Sequence, residues 1–179
     1  VNQAGGNKQG VAEHALGMML VLTKRIVEAD RAMRKVTGLE RERYMGNDAH
    51  GKTLGIVGLG NVGTHVARLA GGLLNMRVLA FDPFIEASAF AERGAEQADF
   101  DTLLRESDFI SVHCPRNSSS EWMFDADAYA RMKPSAYFVT TARGGVHDEE
   151  ALAQALADKQ IAGAGLDVWD PEPPALDHP

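Results

Sequence analysis

The sequence has little cysteine and no excess of positive charge. Cys114 is the only cysteine among 179 residues, which excludes an internal disulfide and a cysteine-rich zinc site. We predict that it is a small buried hydrophobe rather than a nucleophile. Because 18 basic residues stand against 25 acidic ones, the net charge is −7, and no basic excess is available for binding nucleic acid phosphates.

Long hydrophobic runs and hydrolytic motifs are missing as well. The longest apolar run, Ala15 to Leu22, is too short to cross a bilayer, and no signal peptide is visible. The sequence contains no HExxH pattern and no Ser-His signature, so neither a metal site nor covalent catalysis is expected. These absences predict a cytoplasmic domain that binds no membrane, no metal ion and no nucleic acid.

A glycine turn between an apolar run and a helical pattern is the most informative stretch. The run Leu54–Val57 leads directly into Gly58, Gly60 and Gly63, spaced as GxGxxG. Gly58 permits a tight turn, Gly60 lets the backbone approach a pyrophosphate, and Gly63 lets helix and strand pack closely. The predicted helix buries one face, formed by Val62, Val66, Leu69, Ala70 and Leu73. This order of elements predicts a dinucleotide-binding turn.

Asp82 supports the dinucleotide interpretation. It ends the apolar run Met76–Phe81, nineteen residues after Gly63, where a carboxylate binds both ribose hydroxyls of NAD. The alternative interpretation is that Asp82 only forms a turn before Pro83. The same carboxylate would repel the 2′-phosphate of NADP, and Phe84 and Ile85 after it include no arginine. We therefore predict NAD as the cofactor, in preference to NADP.

Strands alternate with helices along the rest of the chain, which predicts a parallel sheet. The whole chain, 1–179, is expected to be one domain, with a leading loop, one long helix and a connection in 1–51 and a doubly wound core in 52–179. We predict an α/β Rossmann fold with three layers, helices on both faces of the sheet. The strands are expected at Leu54–Val57, Met76–Phe81, Phe109–His113, Ala136–Thr141 and Ile161–Val168. The helices are expected at Asn61–Leu74, Glu86–Arg93, Phe100–Glu106, Asp125–Met132 and Asp148–Asp158.

The long helix precedes this core. Val11 to Lys35 contains no proline and predicts one helix, and its middle part, Ala15–Leu22, is apolar on every side. A helix of this kind is buried on two faces, so Met18 and Met19 are predicted to be core or subunit-interface residues. We therefore expect a homodimer.

Ligands of such sheets bind at the carboxyl ends of the strands, so residues there are the candidates for chemistry. Arg143 follows a predicted strand and precedes two glycines, and Glu172 lies between prolines after the last strand. Arg143 and Glu172 each have two interpretations: a residue of the functional site, or an ordinary charged side chain in solvent. His113, His147 and His178 are interpreted as surface or hydrogen-bonded histidines rather than catalytic ones.

Six segments resemble one family closely. VAEHALGMMLVL, TLGIVGLGNVG, FDPF, ISVHCPRNSSSE, MKPSAYFVTTARGG and IAGAGLDVWDPEPP together resemble the NAD-binding domain of the D-isomer-specific 2-hydroxy acid dehydrogenases. That family includes phosphoglycerate, glycerate, hydroxypyruvate and D-lactate enzymes. The resemblance covers nearly the whole chain and is most specific between Lys52 and Pro174.

The resemblance implies roles for individual residues. Arg143 matches the arginine that holds the substrate carboxylate and polarises the 2-keto group. Glu172 matches the acid that keeps a catalytic histidine protonated, and Asp167 matches the residue that binds the nicotinamide carboxamide. The glycines Gly58, Gly60 and Gly63 keep the roles given above. The other expected cofactor contacts are Asn61 and Val62 at the pyrophosphate, Asp82 and Pro83 at the ribose, and Pro115, Thr141 and Ala142 along the flank.

The resemblance also limits what this chain is expected to do. The family's catalytic histidine and its substrate domain lie outside this sequence, so we expect NAD binding without dehydrogenase activity from this piece alone. Valine is usual where His147 stands. Formate dehydrogenases are similar, but place glutamine where Glu172 stands. The alternative to an enzyme acting on a 2-hydroxy or 2-keto acid is an NAD(H)-sensing corepressor-like module of the same fold.

Overall fold

A computed structural model gives the fold and describes residues 6–35, 38, 40–176 and 178. The first half of the expected leading loop, residues 1–5, lies outside the described residues. The strands are β1 (Thr53–Val57), β2 (Arg77–Phe81), β3 (Glu96–Gln97), β4 (Phe109–Val112), β5 (Tyr137–Thr140) and β6 (Gly163–Leu166). The helices are α1 (Lys8–Thr23), α2 (Ile26–Met33), α3 (Asn61–Leu74), α4 (Ala87–Glu92), α5 (Phe100–Glu106), α6 (Ala126–Arg131) and α7 (Glu149–Ala157).

The six strands form one parallel sheet with the order β3-β2-β1-β4-β5-β6. The chain winds outward from β1 in one direction and then from β4 in the other, which confirms the doubly wound Rossmann fold. All five predicted strands are present. The two-residue strand β3 was missed because Glu96 and Gln97 are polar and exposed, and so give no apolar run.

Helices cover both faces of the sheet, which confirms the three layers. Alternate side chains of β1 point to opposite faces: Leu54 and Ile56 join one core cluster and Val57 the other. The first cluster contains residues of α1, α3 and α4, and the second contains residues of α5, α6 and α7. No helix in the described part of the chain is long and apolar enough to cross a membrane.

The single helix predicted over Val11–Lys35 is two helices, α1 and α2. Arg25 lies between them in the left-handed conformation, with φ of 52°. The carbonyl of Thr23 accepts a hydrogen bond from the backbone N–H of Asn47 at 2.8 Å, and the Arg25 guanidinium donates to the Arg43 carbonyl at 2.8 Å. Contacts with the connection that follows therefore end α1, and nothing in the local sequence signals this break.

The apolar helix α1 is covered on two sides within the chain. Ala12, Ala15, Leu16 and Met19 are buried, and Met19 is therefore a core residue. α1 packs against α3 and also against the edge strand β6, where Met18 and Leu22 lie beside Gly163 and Gly165. The fold thus accounts for much of the all-round apolar pattern without a second subunit.

The buried face of α3 differs from the predicted one by part of a turn. Val66 and Ala70 are buried as expected, but Leu73 is 68% exposed. Gly63 and Ala67 are buried instead. Small residues on this face let α3 approach its neighbours closely, whereas the bulkier leucine turns toward solvent.

Candidate cofactor and active site

The strand register brings the predicted site residues to one edge of the sheet. The last residues of β1, β2, β4, β5 and β6 are aligned in a single row. Gly58, Asp82, His113, Thr141 and Asp167 each follow one of these strands directly. The edge includes the point between β1 and β4 where the strand order reverses, which is where open α/β sheets bind ligands.

The three glycines of the turn differ in what the fold requires of them. Gly58 has φ of +89°, and a side chain there would lie 2.7 Å from the Cys114 backbone nitrogen. A side chain at Gly63 would collide with the Gly58 carbonyl. Gly60, in contrast, has φ of −76°, and an added Cβ would meet no atom of the described residues within 4 Å. The fold therefore needs glycine at 58 and 63, but leaves open space beside Gly60.

The N-terminus of α3 faces this open space. Asn61, Val62 and Gly63 form the first turn of the helix, which has no acidic residue and no side chain bonded to its cap. Their backbone N–H groups and the positive end of the helix dipole are thus available to an anion. An open cradle beside such a helix end fits the pyrophosphate of a dinucleotide.

Asp82 and Arg93 both hold the glycine turn through Leu59. The Asp82 carboxylate accepts hydrogen bonds from the backbone N–H groups of Leu59 at 2.9 Å and Phe84 at 3.0 Å. The Arg93 guanidinium donates to the Leu59 carbonyl at 2.6 Å. Sequence analysis missed Arg93, because it stands eleven residues beyond Asp82, just after α4. Arg93 is brought close to the glycine turn by the tertiary structure alone.

A cavity of about 210 Å³ lies between the ends of β1, β2 and β4. It brings together five of the predicted cofactor residues: Gly58, Gly60, Asp82, Pro83 and Pro115. Residues not predicted for the site complete its wall: Val57, Phe81, Phe84, His113, Cys114, Asn117, Ser119, Ser120 and Met123. The apolar members suit the flat face of a base, and the polar members suit a sugar.

His113 and Cys114 are uncharged parts of this wall. The imidazole of His113 is hydrogen-bonded on both sides, by the hydroxyl of Ser111 at 2.8 Å and that of Thr141 at 3.1 Å. Burial lowers the pKa of His113 to about 4, so the ring is neutral near pH 7. Partial burial also raises the pKa of the Cys114 thiol to about 11, so the thiol is protonated near pH 7.

The turns that carry Arg143 and Glu172 touch each other at this edge. Both side chains are exposed, and the Glu172 carboxylate accepts a hydrogen bond from the Trp169 backbone N–H at 3.0 Å. Arg143 donates to the carbonyl of its neighbour Ala142 at 2.7 Å. A side chain at Gly144 would collide with the Trp169 carbonyl, so glycine is what lets the two turns come together.

Arg116 bridges the same two turns and was not predicted. Its guanidinium forms an ion pair with Asp170 at 2.6 Å and donates to the Gly144 carbonyl at 3.4 Å. It also forms an ion pair with Glu121 at 2.7 Å. The position directly after Pro115, at the end of a strand, was the available signal.

The remaining predicted residue, Asp167, lies farther along the edge, on the side of α1. Its carboxylate is 3.6 Å from His14 Nε2, and both side chains are about half exposed. The two flanking residues Thr141 and Ala142 lie between it and the cavity in the strand order, after β5. The predicted residues therefore extend from the cavity at Asp82 to Asp167 across five strand ends.

His147 and His178 contribute to a separate cluster around Glu149. His147 is fully buried, and neither ring nitrogen has a hydrogen-bond partner among the described residues; Glu149 Oε1 lies 3.9 Å away. Burial lowers the pKa of His147. His178 contacts Glu149, which also accepts a hydrogen bond from the Asp170 N–H. Within residues 6–35, 38, 40–176 and 178, no group of three or more His, Cys, Asp or Glu side chains is placed to hold a metal ion.

Comparison with known proteins identifies the family. The profile described as D-isomer specific 2-hydroxyacid dehydrogenase, NAD binding domain, matches residues 16–179. The chain belongs to this family. The NAD binding domain is similar to the D-3-phosphoglycerate dehydrogenase of Archaeoglobus fulgidus, with 42% identity over 179 residues. That match covers 100% of this chain and 34% of the relative, so the chain spans about a third of the relative's length.

Solved structures agree on the fold. A NAD-dependent formate dehydrogenase from Staphylococcus aureus in complex with NAD has a TM-score of 0.88 and 33% identity, covering 98% of this chain and 53% of that one. An acyclic imino acid reductase in complex with NADPH and D-Arg has a TM-score of 0.85 and 32% identity, covering 97% and 54%. The named relatives are dehydrogenases and reductases, and nothing among them supports the corepressor-like alternative.

Proposed function

We propose that this NAD binding domain holds its cofactor along the strand-end edge, with the pyrophosphate beside Gly60. The observation that carries this assignment is the contrast among the glycines: backbone angles and packing explain Gly58 and Gly63, but not Gly60. Asn61, Val62 and Gly63 would supply N–H groups, Asp82 and Pro83 would contact the ribose, and Pro115, Thr141, Ala142 and Asp167 would line the rest.

We further propose that the intact protein interconverts a D-2-hydroxy acid and its 2-keto acid. Bound NAD supplies the acceptor or donor of the hydride. Arg143 would bind the substrate carboxylate with its forked N–H groups and stabilise negative charge on the carbonyl oxygen. Glu172 would stabilise the charged form of a histidine outside this chain, which makes that histidine the proton donor for ketone reduction.

The contact between the turns of Arg143 and Glu172 supports this division of roles. Arg143 has no carboxylate partner in the described part of the chain, and its exposed guanidinium is free to bind an anionic substrate. Glu172 is likewise exposed, with one carboxylate oxygen bonded to the Trp169 N–H. The domain thus presents one cationic and one anionic group at neighbouring turns of the strand-end edge.

The cofactor assignment is tested by Gly60→Ala and Gly63→Ala, with NAD affinity measured by calorimetry and folding by thermal denaturation. Gly60→Ala should keep the melting temperature, because its Cβ meets nothing within 4 Å, yet should weaken NAD binding at least about tenfold. Gly63→Ala should lower the melting temperature instead. Unchanged NAD affinity in a folded Gly60→Ala variant would contradict the proposed site.

We also propose that the intact protein is a homodimer located in the cytoplasm. We place the subunit contact on α2 rather than on α1, because of the exposure of its apolar residues. No residue of α2 is buried in the chain, and Ile26, Val27 and Met33 are 51%, 42% and 60% exposed. An apolar helix surface of this kind is typical of a subunit contact. The cytoplasmic location is tested by cell fractionation.

A further inference from the structure

The Arg93 guanidinium brings a positive charge to the glycine turn beside Asp82. The two side chains hold the two polar backbone atoms of one residue: Asp82 binds Leu59 N–H at 2.9 Å, and Arg93 binds the Leu59 carbonyl at 2.6 Å. Standard backbone dimensions then place the Asp82 oxygen within roughly 9 Å of the Arg93 nitrogen. Carboxylate and guanidinium therefore flank the same short segment of the proposed cofactor site.

No acidic side chain in the described part of the chain neutralises the charge of Arg93. Within the described part of the chain, no carboxylate oxygen lies within 4.0 Å of its side-chain nitrogens, so it forms no ion pair, with Asp82 or any other acid. Arg77 and Arg116, in contrast, are each paired with two carboxylates. The Leu59 carbonyl occupies one N–H of Arg93 and also accepts a weaker bond from the Thr64 hydroxyl at 3.3 Å. The other guanidinium donors form no hydrogen bond within the described residues.

An anion attached to the adenosine ribose would lie next to both side chains. Asp82 is expected to bind the ribose hydroxyls, and in NADP one of these hydroxyls carries a phosphate. Asp82 would repel this phosphate, whereas the Arg93 guanidinium, within roughly 9 Å of the Asp82 carboxylate, has forked donors that match phosphate oxygens. A half-buried arginine already fixed to the turn loses little side-chain freedom on making such a contact.

We propose that Arg93 is a specificity-determining residue, the latent contact for the 2′-phosphate of NADP. The domain's preference for NAD is then set by the balance of Asp82 against Arg93, not by Asp82 alone. Neutralising Asp82 is sufficient to admit NADP, because the cation is already in place. This inference rests on the cofactor site proposed above.

The test is a cycle of variants in which Kd is measured for NAD and for NADP by calorimetry. Asp82→Asn removes the charge and keeps an acceptor for the Leu59 N–H; it should raise the affinity for NADP relative to NAD at least about tenfold. Adding Arg93→Gln to Asp82→Asn should abolish most of that gain, and adding Arg93→Lys should retain part of it. The readout is the ratio of the Kd for NAD to the Kd for NADP. A variant that only loosens the glycine turn weakens the binding of both cofactors alike and leaves this ratio unchanged.

Arg68→Ala is the matched control, because it removes one positive charge from α3 near Gly94, and Arg68 forms no hydrogen bond to the glycine turn among the described residues. Combined with Asp82→Asn, it should leave the gain for NADP intact. An equal NADP gain with and without Arg93 would overturn the inference, as would a gain lost equally on removing Arg68. Failure of every variant and of the unchanged chain to bind NAD would instead contradict the cofactor site itself.

Discussion

At the scale of single residues, substitutions of Arg143 and Glu172 are expected to change different kinetic properties. In the intact protein, Arg143→Ala removes the group that binds the carboxylate and stabilises carbonyl charge, so kcat/KM for a 2-keto acid should fall by about 100-fold or more. Lysine cannot reproduce the forked contact, so Arg143→Lys should recover only part of it. Steady-state kinetics decide this, and unchanged values for Arg143→Ala would remove the arginine from the mechanism.

Glu172→Gln should change the pH dependence of ketone reduction in the intact protein. Without the carboxylate, the charged form of the catalytic histidine is less stable, so its pKa falls. Ketone reduction needs the protonated histidine, and its decline on the alkaline side should therefore move to lower pH. NAD affinity should stay nearly the same. A profile that keeps its shape and position would mean that Glu172 does not contact the proton donor.

His147 gives the molecule a pH-dependent stability. Burial lowers the pKa of His147 in the folded state below the ordinary value of 6.5. As the pH falls, the ring is therefore protonated in the unfolded chain before it is protonated in the folded chain. The contribution of neutral His147 to the free energy of unfolding is fully present above about pH 6.5. It decreases as the pH falls from this value towards the lower pKa of the folded state. The Glu149 carboxylate, 3.9 Å from the ring, favours the charged form but does not outweigh burial.

The predicted consequence is that His147→Val makes stability less sensitive to acid. Urea denaturation at about pH 7.5 and about pH 5 should show a smaller loss for the variant than for the unchanged chain. Valine also removes two ring nitrogens that are buried without hydrogen bonds. His50→Gln, at an exposed position, is the control and should keep the original pH dependence. An equal acid loss after His147→Val would show that other groups cause it.

At the scale of elements, the break between α1 and α2 depends on close contact with the connection that follows. A Cβ at Gly46 would lie 2.6 Å from the Cα of Lys24 and collide with the Thr23 carbonyl. Gly17, within α1, has nothing within 4 Å of its Cβ position. The same substitution should therefore have opposite effects at the two sites.

Gly17→Ala should stabilise the fold by about 0.5–1 kcal/mol, because alanine restricts the unfolded chain and favours the helix. Gly46→Ala should lower the melting temperature, because the connection must move away from the helix end. Thermal denaturation of the two variants beside the unchanged chain measures both effects. Equal melting temperatures for Gly46→Ala and the unchanged chain would show that the contact at the break is dispensable.

At the scale of the whole molecule, the exposed apolar surface of α2 is expected to hold two subunits together. Ile26→Glu places a charge in that surface and should convert the intact protein from dimer to monomer, as measured by light scattering at micromolar concentration. Leu73→Glu is the control, because Leu73 is similarly exposed but lies on α3. A monomeric unchanged protein, or a dimer that survives Ile26→Glu, would contradict the proposed contact.

The order of elements and most strand-end residues could be predicted from the sequence, because the signals are local. Apolar runs define the strands, the glycine spacing defines the turn, and Asp82 follows its strand directly. Parallel strands in a right-handed winding then admit few arrangements, so the shared edge follows from the element order. The resemblance to the family added roles for Arg143 and Glu172, which spacing alone left undecided.

Contacts between distant residues were decided only by the tertiary structure. Asn47 and Arg43 end α1 from outside the helix, and Arg93 contacts a turn that lies more than thirty residues before it. Packing buries His147 without a hydrogen-bond partner among the described residues. Such contacts depend on where whole elements lie, whereas a periodic pattern records only which face of one element is apolar. The sequence determined a dinucleotide-binding fold; the packed chain decided which charges surround the cofactor.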